Sequence, residues 1–316
     1  MNQELSCYEY EILEKHGTGR LGEQIYLGFD PNLNQQVMIR MLPSDMISQN
    51  DTFHRFMQGA KITAALQHPN ILTAYKAGEA EDGNIFLVTR FEEGLFLDKH
   101  LEKHGKFNEK DAARLIAALA DALLYAWETK MIVHRNICPE TILIANDKRP
   151  MLTDFGIAKS RSMNLTETLK GVILGNPKYM SPEQVRSEKE IDFHSDMYCL
   201  GLVFYEILAG FPAFHNKSAE KLMSMQETRQ PVSLKFRNPD LSERCVKIIN
   251  RMLEKEKNKR YPSWNDLKDD LEKLSSGMEA TSELNQGPTN DKIKKNSHAG
   301  RIRGLAKLML TRLSRR

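Results

Sequence analysis

VHRNICPETILI, residues 133–144, sets a polar loop in front of the apolar run TILI. His134-Arg135 and Pro139-Glu140 frame the loop, and Asn136, Cys138 and Thr141 stand inside the frame. Such a frame surrounds an acid, a base and a metal ligand when it does chemistry. A carboxylate at 136 would accept a proton, but the Asn136 amide is no base near neutral pH. Asn is nearly isosteric with Asp, so the shape is kept while the acid–base group is missing.

Four further signals lie at fixed order around this loop: GTGRLG at 17–22, VMIR at 37–40, DFG at 154–156 and SPE at 181–183. A lone GxGxxG is weak evidence, but the ordered set is specific. The sequence resembles the protein kinase family, in particular the Ser/Thr kinases common in bacteria, over residues 8–274. HPNI at 68–71, GNPKYMSPEQ at 175–184, SDMYCLGLVFYEILAGFPAF at 195–214 and the region of Arg260 carry the same resemblance. It implies an α+β, two-lobed fold with a β-rich N-lobe over about 8–92 and a mainly α C-lobe over about 93–274.

The residue pattern agrees. QIYLGF, QQVMIRML and NIFLVTRF read as short strands, interrupted by one helix near 51–66, and helical spacing takes over from Asn108. Residues 275–300 are poor in large apolar side chains and are expected to form a flexible linker. No run of about 18 apolar residues appears and the N-terminus lacks a basic start, so neither a membrane span nor a secretion signal is expected. Cys7, Cys138, Cys199 and Cys245 form no CxxC pair, which points to a reducing, cytoplasmic setting.

Kinase chemistry needs a positioned, charge-neutralised triphosphate and a carboxylate to take the substrate proton. The resemblance places that carboxylate at Asn136, a phosphate-contacting Lys at Cys138 and a metal-binding Asn at Thr141, so no catalytic residue of the loop is intact. Arg40 stands for the family's nucleotide-binding Lys, and Gly59 for the helix Glu that pairs with it. Switching through that ion pair is therefore not expected. Met38 replaces a small residue that packs on adenine, and its side chain is expected to fill part of the pocket. Gly17, Gly19 and Gly22 would let backbone N–H groups approach phosphates. Asp154 would hold one Mg²⁺, while Phe155 and His134 would pack inside the protein. GEQIYLGFD carries one residue more than the family pattern, and a bulge in that hairpin is expected. Asn176 replaces a Thr that would bond the catalytic Asp and Lys. Glu183 and Arg260 match a structural ion pair, and Asp196 an Asp that ties down the loop backbone.

These replacements together point to a pseudokinase, a regulatory or scaffolding module in phosphorylation signalling that binds ATP with Mg²⁺ at reduced affinity. The alternative is a weakly active or unconventional ATP-dependent Ser/Thr kinase. Ser160, Ser162, Thr166 and Thr168 are candidate phosphosites, with Arg135 placed to receive a phosphate. The expected partner is a kinase or other signalling protein. Residues 1–291 carry a net charge of −6, whereas 292–316 hold nine Lys or Arg and no acid. In 301–316, a helix would place Ile302, Leu305, Ala306, Met309, Leu310 and Leu313 on one face. This basic amphipathic tail suits an anionic membrane surface or an acidic groove on a partner, and makes a peripheral membrane location an expectation. Without interleaved aromatics it gives little support to nucleic-acid binding.

Overall fold

The alternation in QQVMIRML decides which way the N-terminal sheet faces: Val37, Ile39 and Met41 are buried, while Met38 and Arg40 point to the other side and are only half-buried. The structure is a computed structural model and describes residues 9–19, 21–47, 50–80, 82–160 and 175–276. Strands β1 (Glu11–Thr18), β2 (Gln24–Asp30) and β3 (Gln35–Leu42) are followed by a short helix α1 (Ser44–Ile47) and the longer α2 (Asn50–Ala64). β4 (Ala74–Glu79) and β5 (Ile85–Arg90) complete an antiparallel sheet in the order β1-β2-β3-β5-β4. One face packs Val37, Ile39, Met41, Phe86 and Val88 together. On the other, Leu42, Ile85 and Leu87 meet Phe56 and Ala60 of α2.

The expected irregularity in the first hairpin is present and falls on β1. β2 and β3 pair without a break, whereas β1 leaves Leu13 and His16 out of the register. The extra residues therefore bend β1, not the segment GEQIYLGFD.

Beyond β5 the chain turns helical. β6 (Gly94–Phe96) leads into α3 (Leu97–His104) and α4 (Glu109–Lys130), and β7 (Ile132–Val133) enters the loop that carries His134 and Asn136. β8 (Ile142–Ala145) and β9 (Pro150–Leu152) leave it, with β10 (Lys159–Ser160) pairing back onto β7. α5 (Pro182–Val185), α6 (Phe193–Ala209), α7 (Ala219–Thr228), α8 (Leu234–Arg237), α9 (Glu243–Met252) and α10 (Trp264–Ser276) follow. α6 is buried on every side from Ser195 to Ala209, as its unbroken apolar sequence requires. Its start is capped by the Asp192 carboxylate, which accepts from the His194 N–H at 3.0 Å. The expected linker start at Ser275 is corrected by α10, which continues through Ser276; the rest of the linker and the basic tail lie outside the described residues. No described helix is long and apolar enough to cross a membrane.

Arg260 and Glu183 form the expected ion pair and are fully enclosed. Arg260 donates to both carboxylate oxygens at 2.6 and 3.0 Å, and to the carbonyls of Glu254, His194 and Lys255. All five guanidinium N–H groups are thereby used, and Glu183 also accepts from the Ser195 hydroxyl at 2.7 Å. Removing one member leaves a buried charge without its counterpart. Arg260→Ala is expected to cost about 3–5 kcal/mol in a urea unfolding measurement; a loss under about 1 kcal/mol would contradict this role.

Candidate functional site

The loop holds its shape through the backbone. Asp196, near the start of α6, accepts the N–H groups of His134 at 2.7 Å and Arg135 at 2.9 Å. Burial pushes its carboxyl up to about 7, against these two bonds, which favour the charged form. The Asn136 N–H donates to His134 Nδ1 at 3.2 Å, so the ring carries its proton on Nε2 and gives it to the Thr153 carbonyl at 2.9 Å. Burial holds this imidazole below its ordinary pKa. Phe155 stacks obliquely on it, with ring centroids 4.5 Å apart, as the sequence led us to expect. Arg135 and Asp154 both take left-handed backbone conformations, with φ of 64° and 61°.

Within this frame the three substituted residues turn to one another and to Asp154. The Asn136 amide donates to Asp154 Oδ2 at 3.1 Å. Thr141 is fully buried; its hydroxyl accepts from the Cys138 N–H at 3.2 Å and faces the Asn136 carbonyl at 2.8 Å. The Cys138 thiol is also fully buried, 3.6 Å from that hydroxyl, so no cation enters the cleft from this position. Thr141 closes the loop and does not extend a metal site. Among the described residues no group of three or more His, Cys, Asp or Glu is arranged to hold a metal. Asn176 also serves the local structure: its amide donates to Glu140 at 3.4 Å and its oxygen accepts from the Lys178 N–H.

Gly59 does more than omit a carboxylate. A Cβ there would lie 3.1 Å from Gly156 Cα and 3.2 Å from Gly156 N, because α2 packs its backbone directly against the DFG segment. A side chain at this position would require the two backbones to separate by a few tenths of an ångström. The sequence reading left Arg40 without an anchoring carboxylate from that helix, and the structure supplies one elsewhere. Glu23, fully buried at the end of the glycine loop, receives both the Nε of Arg40 at 3.0 Å and its Nη2. Glu23 lies outside the helix from which the linear motifs would draw this partner. The available signal is strand register: Ile25 pairs with Arg40, which makes Glu23 the diagonal neighbour on the same face.

The same carboxylate occupies the glycine loop. Glu23 Oε2 accepts the Leu21 N–H at 2.9 Å, and a Cβ on Gly19 would collide with the Glu23 carboxyl group. Gly19 N–H donates to the Glu23 carbonyl at 2.7 Å and Gly22 N–H to the Gly19 carbonyl at 3.1 Å. The N–H groups at 19, 21 and 22 are thus bonded within the loop. Gly17 stays open, with nothing within 4 Å of a Cβ. Met38 lies between Leu27 and Thr89 on the face it shares with Arg40. Residues from both lobes, including Leu21, Arg40, Gly59, Thr89, Asp154 and Phe155, line a cavity behind the loop. Around the positions that the motifs assign to Mg²⁺ and a triphosphate, Asp154 accepts from the Asn136 amide, Thr141 bonds within its own loop, and the Glu23 carboxylate lies in the glycine loop.

Ser160 is turned inward, its hydroxyl donating to the Lys130 carbonyl at 2.5 Å, so it is closed to modification in this conformation. Arg135 donates its Nε to the Ile157 carbonyl at 2.7 Å. Ser162, Thr166 and Thr168 lie outside the described residues.

The protein kinase domain profile matches residues 10–270. The serine/threonine-protein kinase PrkC of Bacillus subtilis is 32% identical over 262 residues, covering 83% of this chain and 40% of PrkC. The serine/threonine-protein kinase PknB of Mycolicibacterium smegmatis is 30% identical over 275 residues, covering 85% and 43%. The serine/threonine-protein kinase pkn2 of Myxococcus xanthus is 32% identical over 278 residues, covering 86% and 33%. The chain therefore spans less than half the length of these relatives.

The Asn136–Asp154 bond has a direct consequence. In chelator at pH 7, Asn136→Asp would set two carboxylates against each other and is expected to lower stability by about 1–3 kcal/mol, read as a drop in melting temperature. An unchanged melting temperature would show that the bond contributes nothing.

Proposed function

Because this chain belongs to the protein kinase family, whose members use ATP and Mg²⁺, we propose that it is a catalytically impaired kinase-fold protein acting as a regulatory or scaffolding module in phosphorylation signalling. The observation that carries this reading is the amide at the catalytic position: Asn136 donates a hydrogen to Asp154 where a base would have to accept one. The buried Cys138 and Thr141 support it, since neither brings a cation or a metal ligand to a transferring phosphate. Reduced affinity for ATP belongs to the same proposal and is supported by the pairing of Arg40 with Glu23.

Its partner on this reading is a kinase or another signalling protein, recognised through the surface of a fold whose interior is kept intact. The basic tail, 301–316, would add peripheral attachment to an anionic membrane from the cytoplasmic side. Retention of Asp154, Phe155 and His134 favours the second reading, a weak phosphotransferase, and one assay separates the two.

With labelled ATP and Mg²⁺ or Mn²⁺, turnover is expected to fall at least about 10³-fold below the roughly 1–100 per second of active kinases. Robust phosphorylation that disappears in Asp154→Ala would overturn the first reading. For the tail, full-length protein should sediment with anionic vesicles and a chain ending at Ser276 should not; equal sedimentation would remove the membrane proposal.

A further inference from the structure

Phe236 is the most exposed large apolar side chain among the described residues, at 77%, and it does not stand alone. Val232, four residues earlier, is 45% exposed, and Phe211, just beyond the end of α6, is 40% exposed. The Arg237 guanidinium joins the two rings, 4.9 Å from the centre of Phe211 and 5.8 Å from that of Phe236. This exposure belongs to an anchored segment. Leu234 is buried, the Tyr205 hydroxyl donates to the Val232 carbonyl at 2.9 Å, and the Asn238 amide donates to the Leu208 carbonyl at 3.2 Å. With Leu234 turned inward on α8, a side chain two residues on faces out, because each helical residue turns the chain by about 100°.

The charges around these side chains share one sign. From Thr228 to Pro239 the chain reads TRQPVSLKFRNP, which holds Arg229, Lys235 and Arg237 and no acid. Lys235 lies 3.5 Å from Glu243, whereas Arg229 and Arg237 are exposed and form no ion pair among the described residues. Lys106 comes beside Gly210, the residue before Phe211, and adds another cation. Residues 1–291 carry a net charge of −6, so this face opposes the sign of the body that bears it. Rings flanked by Arg and Lys suit the headgroup layer of an anionic bilayer, where the rings enter the acyl boundary and the cations meet phosphates. A side chain as exposed as Phe236 is a wedge and not the wall of a pocket, and a fluid headgroup layer receives a wedge without a preformed groove.

We propose that the face carrying Phe211, Val232, Phe236, Arg229 and Arg237 is a second contact with an anionic phospholipid bilayer, made by the folded domain itself. It rests on the reading of 301–316 as a membrane-binding tail, and goes further by giving the domain a defined side toward the lipid. One weak anchor yields marginal, reversible attachment, and stable attachment takes two. The face alone is therefore too weak to sediment a chain ending at Ser276, and in the full chain it tightens binding.

The test is sedimentation of the full-length protein with vesicles of phosphatidylcholine, alone or mixed equally with phosphatidylglycerol. Phe236→Ser, at a position the core does not use, should lower partitioning onto the anionic vesicles about tenfold, the share of a Phe side chain partly withdrawn from water. Arg229→Gln and Arg237→Gln should each lower it about fivefold, and added salt should weaken wild-type binding. Phe236→Trp should bind like the wild type, with emission that brominated phosphatidylglycerol quenches beyond its effect on Trp127 and Trp264 of the wild type. Undiminished binding by Phe236→Ser overturns the proposal, as does unquenched added emission from Phe236→Trp; both results leave the tail reading standing. Failure of the full-length wild type to sediment with anionic vesicles defeats the membrane reading and this face with it. Unchanged binding on shortening to Ser276, together with a loss in Phe236→Ser, refutes the tail and upholds the face.

Discussion

Two backbone hydrogen bonds to one buried carboxylate hold the centre of this protein. Asp196 fixes the N–H groups of His134 and Arg135, and from there the loop passes through a left-handed Arg135 to Asn136. None of these contacts uses the side chains that would do chemistry. The entry to the loop is therefore fixed by an acid on α6 and by the ring of His134, independently of the side chains at 136 and 138. The Arg260–Glu183 pair performs a comparable task beneath the following segment, tying α5 to the carbonyls near its own turn. Scaffold and chemistry are carried by different residues.

The cleft side shows what the varied positions do instead. Asn136 gives its amide to Asp154, Thr141 closes the loop, and Arg40 receives Glu23. Each contact satisfies a polar group from within the chain, as buried polar groups require. Gly59 belongs to the same set, since its missing side chain allows α2 to approach the backbone of Gly156. Restoring one family residue would disturb a neighbour: a carboxylate at 136 faces Asp154, and a Glu at 59 meets the DFG backbone.

The two-lobed fold was legible in the sequence because its markers are local and ordered: the glycine loop, VMIR, the His-Arg frame, DFG and SPE. Arg260 and Glu183 were legible for the same reason. Glu23 was not, because its role depends on strand register and on a loop that folds back over Gly19, neither of which a linear motif records. The bulge was expected in this hairpin without a strand assigned to it, and it falls on β1, since an extra residue can be absorbed by whichever strand bends more easily. Thr141 was read only as a lost metal ligand, and its hydrogen bonds inside the loop emerge only once the turn is formed. The reason for Gly59 required knowing how closely α2 meets the DFG segment, a tertiary distance with no sequence signature.

The central claim is that the cleft is internally satisfied at the places where a triphosphate and its metal would bind. A crystal structure determined in saturating ATP and Mg²⁺ tests it most directly. The account predicts density for Glu23 on Arg40 and for the Asn136 amide on Asp154, with no ordered triphosphate between them. A triphosphate seated on Arg40 with Mg²⁺ at Asp154, and Glu23 swung out of the glycine loop, would contradict it.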